Sequence, residues 1–144
     1  MILGVGVDVV EVPRMERVLK SSWAGRFVRR VFCPEEIEVC RGAARPAQAY
    51  AARFAAKEAL VKALGTGFSH GITPAKVQVH GGERTQPRIR LRAEAQEAAE
   101  FMKVSGIHVS LTHTPLTACA LVVVETKDVA AETRVPQESG LSFV

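Results

Sequence analysis

The first ten residues alternate: Leu3, Val5, Val7 and Val9 fall on one side of an extended chain and Gly4, Gly6, Asp8 and Val10 on the other. This period of two predicts a strand with one apolar face and one nearly bare face that ends in a carboxylate. Pro13 suits the first turn of a helix reaching about Lys20, and the SSWAG segment interrupts it before a second, apolar-basic helical stretch, RFVRRVF. Pro34 followed by Glu35 and Glu36 opens a short third helix, with acids at the positive end of its macrodipole, and RGAARPAQ reads as a loop. A long alanine-rich helix follows from about Ala47 to Leu64 and is closed by Gly65. Beyond it, GITPAKVQVHGGERTQPRIRLR reads as two strands around a Gly-Gly turn, AEAQEAAEFMKVSG as an amphipathic helix, and IHVSLTHT and ACALVVVE as a strand pair around PLT. Helices and antiparallel strands in this order give an α+β fold, with an antiparallel sheet packed against the long central helix.

The stretch RFAAKEALVKALGTG within that helix is apolar on most of its circumference yet carries four charges. At 100° per residue, Glu58 and Lys62 share a stripe with Ala51, Ala55 and Gly65, while Arg53 and Lys57 share another. Charges on a helix buried on several sides are costly unless they meet partners. A plain structural account is available: Glu58 and Lys62 form an i,i+4 ion pair, and Gly65 is a left-handed cap. The Gly65-Thr66-Gly67 turn trails a helix, so it is not the phosphate loop of a nucleotide-binding fold, but it permits close approach of a ligand phosphate. Asp8, beside Gly4 and Gly6 with open space next to it, serves either as a helix-entry group in a capping box with Glu11 or as a partner of Glu58 around a hard cation. Mg²⁺ typically takes one or two protein carboxylates and completes its shell with water and substrate phosphate, whose charge Lys62 and Arg53 would offset.

Length and composition, 144 residues of which 47% are hydrophobic, suit one domain, here residues 1–125, followed by a tail over 126–144. The tail has few large apolar residues before Leu141 to Val144, so it is expected to be loosely held with that last cluster free to dock; its role is unassigned. No apolar run approaches the roughly 18 residues that span a bilayer, and MILGVGVDVV lacks a basic leader and cleavage site, so a cytoplasmic protein with no membrane partner is expected. Cys33, Cys40 and Cys119 lack metal-ligand spacing and read as small hydrophobes in a reducing compartment. His70, His80 and His108 likewise show no ligand spacing, and Trp23 and Tyr50 read as packing residues.

Charge is uneven. Between Val12 and Arg30 six basic residues face one acid, while the rest of the chain is nearly neutral. Such a stretch is either a solvated face or a site for an anionic partner. Nucleic acid is disfavoured as that partner, because neither aromatic interleaving nor a recognised base-reading motif accompanies the arginines. A metal-dependent phosphohydrolase would share the carboxylates but needs no acceptor protein.

Four stretches together, GVGVDVVEVPRMERVL, RRVFCPEEIE, RFAAKEALVKALGTG and HVSLTHT, resemble the holo-acyl-carrier-protein synthases of bacterial fatty acid synthesis, over about Met1 to Glu125. The resemblance implies a 4′-phosphopantetheinyl transferase-like fold that assembles as a homotrimer with active sites between subunits. It implies transfer of 4′-phosphopantetheine from coenzyme A to a serine of apo-acyl carrier protein, releasing adenosine 3′,5′-bisphosphate. It also implies Mg²⁺ held by Asp8 and Glu58, with Lys62 in the catalytic set. Coenzyme A phosphates would lie near Arg53, Lys62, Gly65, Thr66 and Gly67, with His113 and Thr114 reached from a neighbouring subunit. The serine proton would go to Glu58 or to a water held by the metal. Acyl carrier proteins are acidic, so Arg14, Arg26 and Arg30 would form the docking face, with Phe27 as an apolar contact. Cys33 stands where the family often has Thr, which is expected to weaken the cap of the third helix.

Overall fold

The structure is a computed structural model that describes residues 1–82 and 84–127. Its elements run β1 (Ile2–Glu11), α1 (Val12–Lys20), α2 (Ala24–Val31), α3 (Pro34–Gly42), α4 (Pro46–Leu64), a 3₁₀ turn (Pro74–Lys76), β2 (Val77–His80), β3 (Arg88–Leu91), α5 (Ala93–Phe101), β4 (Val104–His113) and β5 (Thr117–Thr126). The long strands form an antiparallel sheet in the order β1-β5-β4, and β2 and β3 form a separate hairpin. The α+β reading therefore holds. Two local boundaries differ from it: RGAARPAQ is mostly helical, since α3 runs through Gly42 and α4 starts at Pro46, and AEAQEAAEFMKVSG divides between α5 and β4. The second division falls at Lys103, which adopts a left-handed φ of 58° and ends the helix before β-branched Val104.

Helix α4 lies against the β1-β5 side of the sheet, and its small residues set the distance. Ala51, Ala55 and Ala59, one helical turn apart, are fully buried. Across from them, a Cβ added at Gly4 would lie 1.9 Å from the Ala63 carbonyl oxygen, and one at Gly6 would lie 1.9 Å from that of Ala59. The nearly bare face of β1 is therefore the packed one, filled by helix backbone at Gly4 and Gly6, while Asp8 beyond them lines an open groove. Val5, Val7 and Val9, the side-chain-bearing face, are exposed together with Leu121 on β5. Leu3 leaves that face and packs on the core because a bulge between Ile2 and Gly4 shifts the register of β1 against β5.

Two apolar clusters share α4. Its C-terminal half packs with Val122 and Val124 of β5, Val77 and Val79 of β2 and Ala95 of α5. Its N-terminal half packs with Met15, Val28, Val31 and Cys40 from the three preceding helices and with Phe32 just after α2. Between these clusters lies a fully buried ion pair, Lys57 Nζ to Glu36 Oε2 at 2.8 Å. Lys57 also donates to the carbonyls of Pro74 and Val77, while Glu36 accepts from the backbone N–H groups of Cys33 and Val79 at 2.9 Å each. Burial lowers the Lys57 ammonium from its ordinary value, and the Glu36 carboxylate opposes that shift. The Glu36 bond to Cys33 N–H supplies half of a capping box, so α3 is held at its start despite the replacement of Thr. Burial pushes the Cys33 thiol up to about 11, and among the described residues no disulfide joins the three cysteines. Among the described residues no helix is long and apolar enough to cross a membrane. The tail beyond Lys127, including the Leu141 to Val144 cluster, lies outside the described residues.

Candidate active site

Asp8 sits near the end of β1, two residues beyond Gly6, where the strand meets the Ala59 backbone of α4. Lys62, two-and-a-half turns from Arg53 along that helix, reaches across to donate to Asp8 Oδ1 at 2.8 Å and to the Val7 carbonyl at 3.1 Å. This contact resolves two open readings. Lys62 pairs with the strand rather than with Glu58, and Asp8 meets Lys62 rather than capping α1, whose N-cap Glu11 makes no side-chain cap bond. Glu58 makes no hydrogen bond among the described residues. Its carboxyl is raised from the ordinary value, first by partial burial and then by the negative charge of Asp8, with Lys62 opposing. Two carboxylates and one ammonium thus meet at the edge of a groove.

That groove, of about 540 Å³, runs from Asp8 and Glu58 between α1, α2 and α4, and its walls include Arg14, Trp23, Phe27 and Phe54. Arg14 and Phe27 therefore open onto the same space as the carboxylates. Arg26 and Arg30 lie on the exposed surface of α2, and among the described residues none of the three arginines forms an ion pair. Trp23 departs from its reading as a packing residue, being 50% exposed, whereas Tyr50 is buried with its ring 4.9 Å from that of Phe32.

The Gly65-Thr66-Gly67 turn follows directly. Gly65 and Gly67 have φ of 71° and 60°, so both glycines are required by left-handed backbone. The N–H groups of Thr66 and Gly67 both donate to the Val61 carbonyl and that of Gly65 to Lys62, so the turn offers open space and not spare backbone donors.

Arg53 is not at this groove. It is 3% exposed and donates to the carbonyls of Ala49 at 3.4 Å and Gly81 at 3.1 Å, while its buried Nε has no partner among the described residues. It lines a second cavity, of about 590 Å³, with Arg45, Gln48 and His113. Within one chain, the expected phosphate-binding residues are thus divided: Lys62 beside the carboxylates, Arg53 with His113 in the other cavity. Thr114 is largely engaged in its own hairpin turn, its hydroxyl accepting from Thr117 N–H at 3.1 Å and its carbonyl accepting from Gln48 Nε2 at 3.0 Å. Arg45 and Gln48 were missed by sequence reasoning because they lie within RGAARPAQ, the segment read as loop. The charge of Arg45 and the polar amide of Gln48, about two turns and one turn before Arg53, were the available signal.

Comparison with known proteins agrees with this architecture. Residues 4–119 match the family model described as the 4′-phosphopantetheinyl transferase superfamily. The holo-[acyl-carrier-protein] synthase of Maridesulfovibrio salexigens is 43% identical over 125 residues, which cover 87% of this chain and 99% of that protein. The crystal structure of the Neisseria meningitidis holo-[acyl-carrier-protein] synthase superposes with a TM-score of 0.80 at 30% identity, covering 88% of this chain and 100% of the other. That of the Bacillus anthracis holo-(acyl-carrier-protein) synthase in complex with CoA (3′,5′-ADP) superposes with a TM-score of 0.71 at 30% identity, covering 88% and 98%. With its helix-borne carboxylate facing a strand-borne one across a lysine, the chain belongs to the 4′-phosphopantetheinyl transferase superfamily, as an enzyme of its holo-[acyl-carrier-protein] synthase branch.

Proposed function

We propose that the groove beside Asp8 and Glu58 transfers the 4′-phosphopantetheine of coenzyme A to a serine of an acidic apo-acyl carrier protein in fatty acid biosynthesis. The observation that carries this reading is that Asp8, Glu58 and Arg14 line one groove, with Lys62 on Asp8. The serine oxygen forms a bond to the phosphorus that bears pantetheine. The bond from that phosphorus to the bridging oxygen breaks, and adenosine 3′,5′-bisphosphate leaves with the electron pair. Glu58, free of other hydrogen bonds in the described residues and facing the groove, accepts the serine proton. Lys62 offsets charge on the phosphates, and the groove walls align the acceptor.

The donor set fits Mg²⁺. The negative charge of Asp8 disfavours the charged form of Glu58, which a hard cation would relieve, and among the described residues no group of three or more His, Cys, Asp or Glu is placed to hold a metal. A pair of carboxylates suits an ion that shares its shell with substrate phosphate, and when bound Mg²⁺ supplies charge neutralisation at the pyrophosphate.

A homotrimer accounts for the divided site. The Arg53, Arg45 and His113 cavity of one subunit would complete the Asp8 and Glu58 groove of the next, receiving further coenzyme A phosphate charge. The exposed face carrying Val5, Val7, Val9 and Leu121 supplies apolar surface for such an interface. Residues 1–125 would form the catalytic domain and the remainder a tail. Three cysteines that form no disulfide among the described residues suit the cytoplasm.

The test is intact mass of apo-acyl carrier protein after incubation with enzyme, coenzyme A and Mg²⁺. A gain of one phosphopantetheine is expected, falling about 10²- to 10⁴-fold in rate for Glu58→Gln and disappearing when the metal is chelated. A Glu58→Gln enzyme that retains full rate would remove Glu58 from the reaction.

A further inference from the structure

Trp23 lies at the join of α1 and α2, where the backbone is pinned. Its carbonyl accepts from Phe27 N–H at 3.0 Å, and the next residue, Ala24, donates to the Ser21 carbonyl at 3.2 Å. The ring stands edge-on to Phe27 with centroids 6.0 Å apart, and Phe27 in turn meets Phe54 of α4 at 6.2 Å. Three aromatic rings thus run in contact from the exposed end of the groove toward Glu58, one helical turn beyond Phe54. Half of the Trp23 surface faces solvent, an unusual outlay of apolar area for a residue so firmly placed.

The groove is chemically divided. One end holds Asp8 and Glu58, while Met15, Val18, Trp23, Phe27 and Phe54 make the remainder largely apolar. Exposed Arg26, which forms no ion pair among the described residues, lies in the first turn of α2, three residues after Trp23 at its N-cap, so an acceptor drawn by the arginines meets the indole first. We propose that Trp23 is a specificity-determining residue for the acceptor: its exposed face covers an apolar side chain that flanks the acceptor serine on an acidic carrier protein. This rests on the docking reading of Arg14, Arg26 and Arg30. The arginines attract the acceptor by charge, and Trp23 sets its depth and register in the groove, because a rigid aromatic gives large contact area at small entropy cost.

Trp23 is the sole tryptophan of the chain, so its fluorescence reports the contact directly. Titrating apo-acyl carrier protein should shift the emission to the blue and saturate. Trp23→Ala should raise KM for the carrier at least tenfold, the scale of a buried aromatic contact at an interface, with kcat and KM for coenzyme A within about twofold of the parent. Trp23→Phe should restore most of the carrier affinity. An indole that merely supports the fold would instead lower kcat and thermal stability without separating the two KM values. If coenzyme A alone moves the emission and carrier does not, the pantetheine arm occupies this wall and the proposal is overturned. Arg26→Glu separates the two layers. A raised carrier KM in Arg26→Glu alongside a normal one in Trp23→Ala removes only the role of Trp23, whereas normal values in both remove the docking reading as well.

Discussion

Helix α4 carries two lysine–carboxylate pairs five residues apart, and they have opposite fates. Lys57 and Glu36 are buried and saturated: Lys57 has one carboxylate and two carbonyls, and Glu36 has two backbone donors besides. Lys62 and Asp8 are the same 2.8 Å apart, but the Lys62 side chain is 52% exposed and its neighbour Glu58 has no hydrogen bond among the described residues. Equal length therefore says little about role. A pair whose donors and acceptors are all satisfied inside the protein has nothing left for a ligand. A pair with an idle carboxylate beside it, opening on a groove, has capacity for a cation, a phosphate and a proton.

The sharpest way to break this contrast is to remove each lysine in turn. Lys57→Met should cost about 3–5 kcal/mol in urea unfolding, because it leaves the Glu36 charge buried and unpaired. A cost below about 1 kcal/mol would mean that water reaches Glu36 and that the interior pair is not structural. Lys62→Met should change stability by no more than about 1 kcal/mol, as for other exposed pairs. Its kcat/KM should nevertheless fall on the order of 10²-fold through lost charge stabilisation, and a variant as active as the parent would leave Asp8 as its only business. The smallest effect belongs to a third pair, Lys76 Nζ to Glu94 Oε2 at 2.6 Å, on the surface. Its hydrogen bond with Lys76 holds the Glu94 carboxyl below the ordinary value. That stabilisation is present above the usual carboxylate range and is lost as pH falls through the lowered value. Glu94→Gln should thus be slightly less stable than the parent near neutrality, with the two unfolding curves converging in acid. A difference that persists in acid would point to packing instead of charge.

Much of the contrast was legible beforehand. The stretch RFAAKEALVKALGTG shows a helix too apolar to be a surface element, with charges that need partners, and its trailing glycine is a cap with φ of 71°. What periodicity could not say is which partner each charge meets. Arg53 and Lys62 lie on one helix, and their functional grouping was natural, but nine residues of helix turn them toward different cavities. Similarly, alternation in β1 separates two faces without telling which is buried. The face with more apolar side chains was the natural candidate for packing, yet the glycine face won because α4 presents alanines, and two backbones can approach only where neither side has a Cβ in the way. Leu3 changed sides through a bulge, a feature of pairing that a single strand does not display.

The amino-acid order by itself determined the succession of elements, the basic stretch before Arg30, the family, and the candidates Asp8, Glu58 and Lys62, since these depend on residue type and near-neighbour spacing. Tertiary structure alone decided that Asp8 meets Lys62, that Glu36 neutralises Lys57 across 21 positions, that Arg53 joins His113, and that Trp23 stands half-exposed in the groove that the carboxylates also line. Each of these is set by the packing of one element on another, where a shift of a few ångströms exchanges a buried partner for open water.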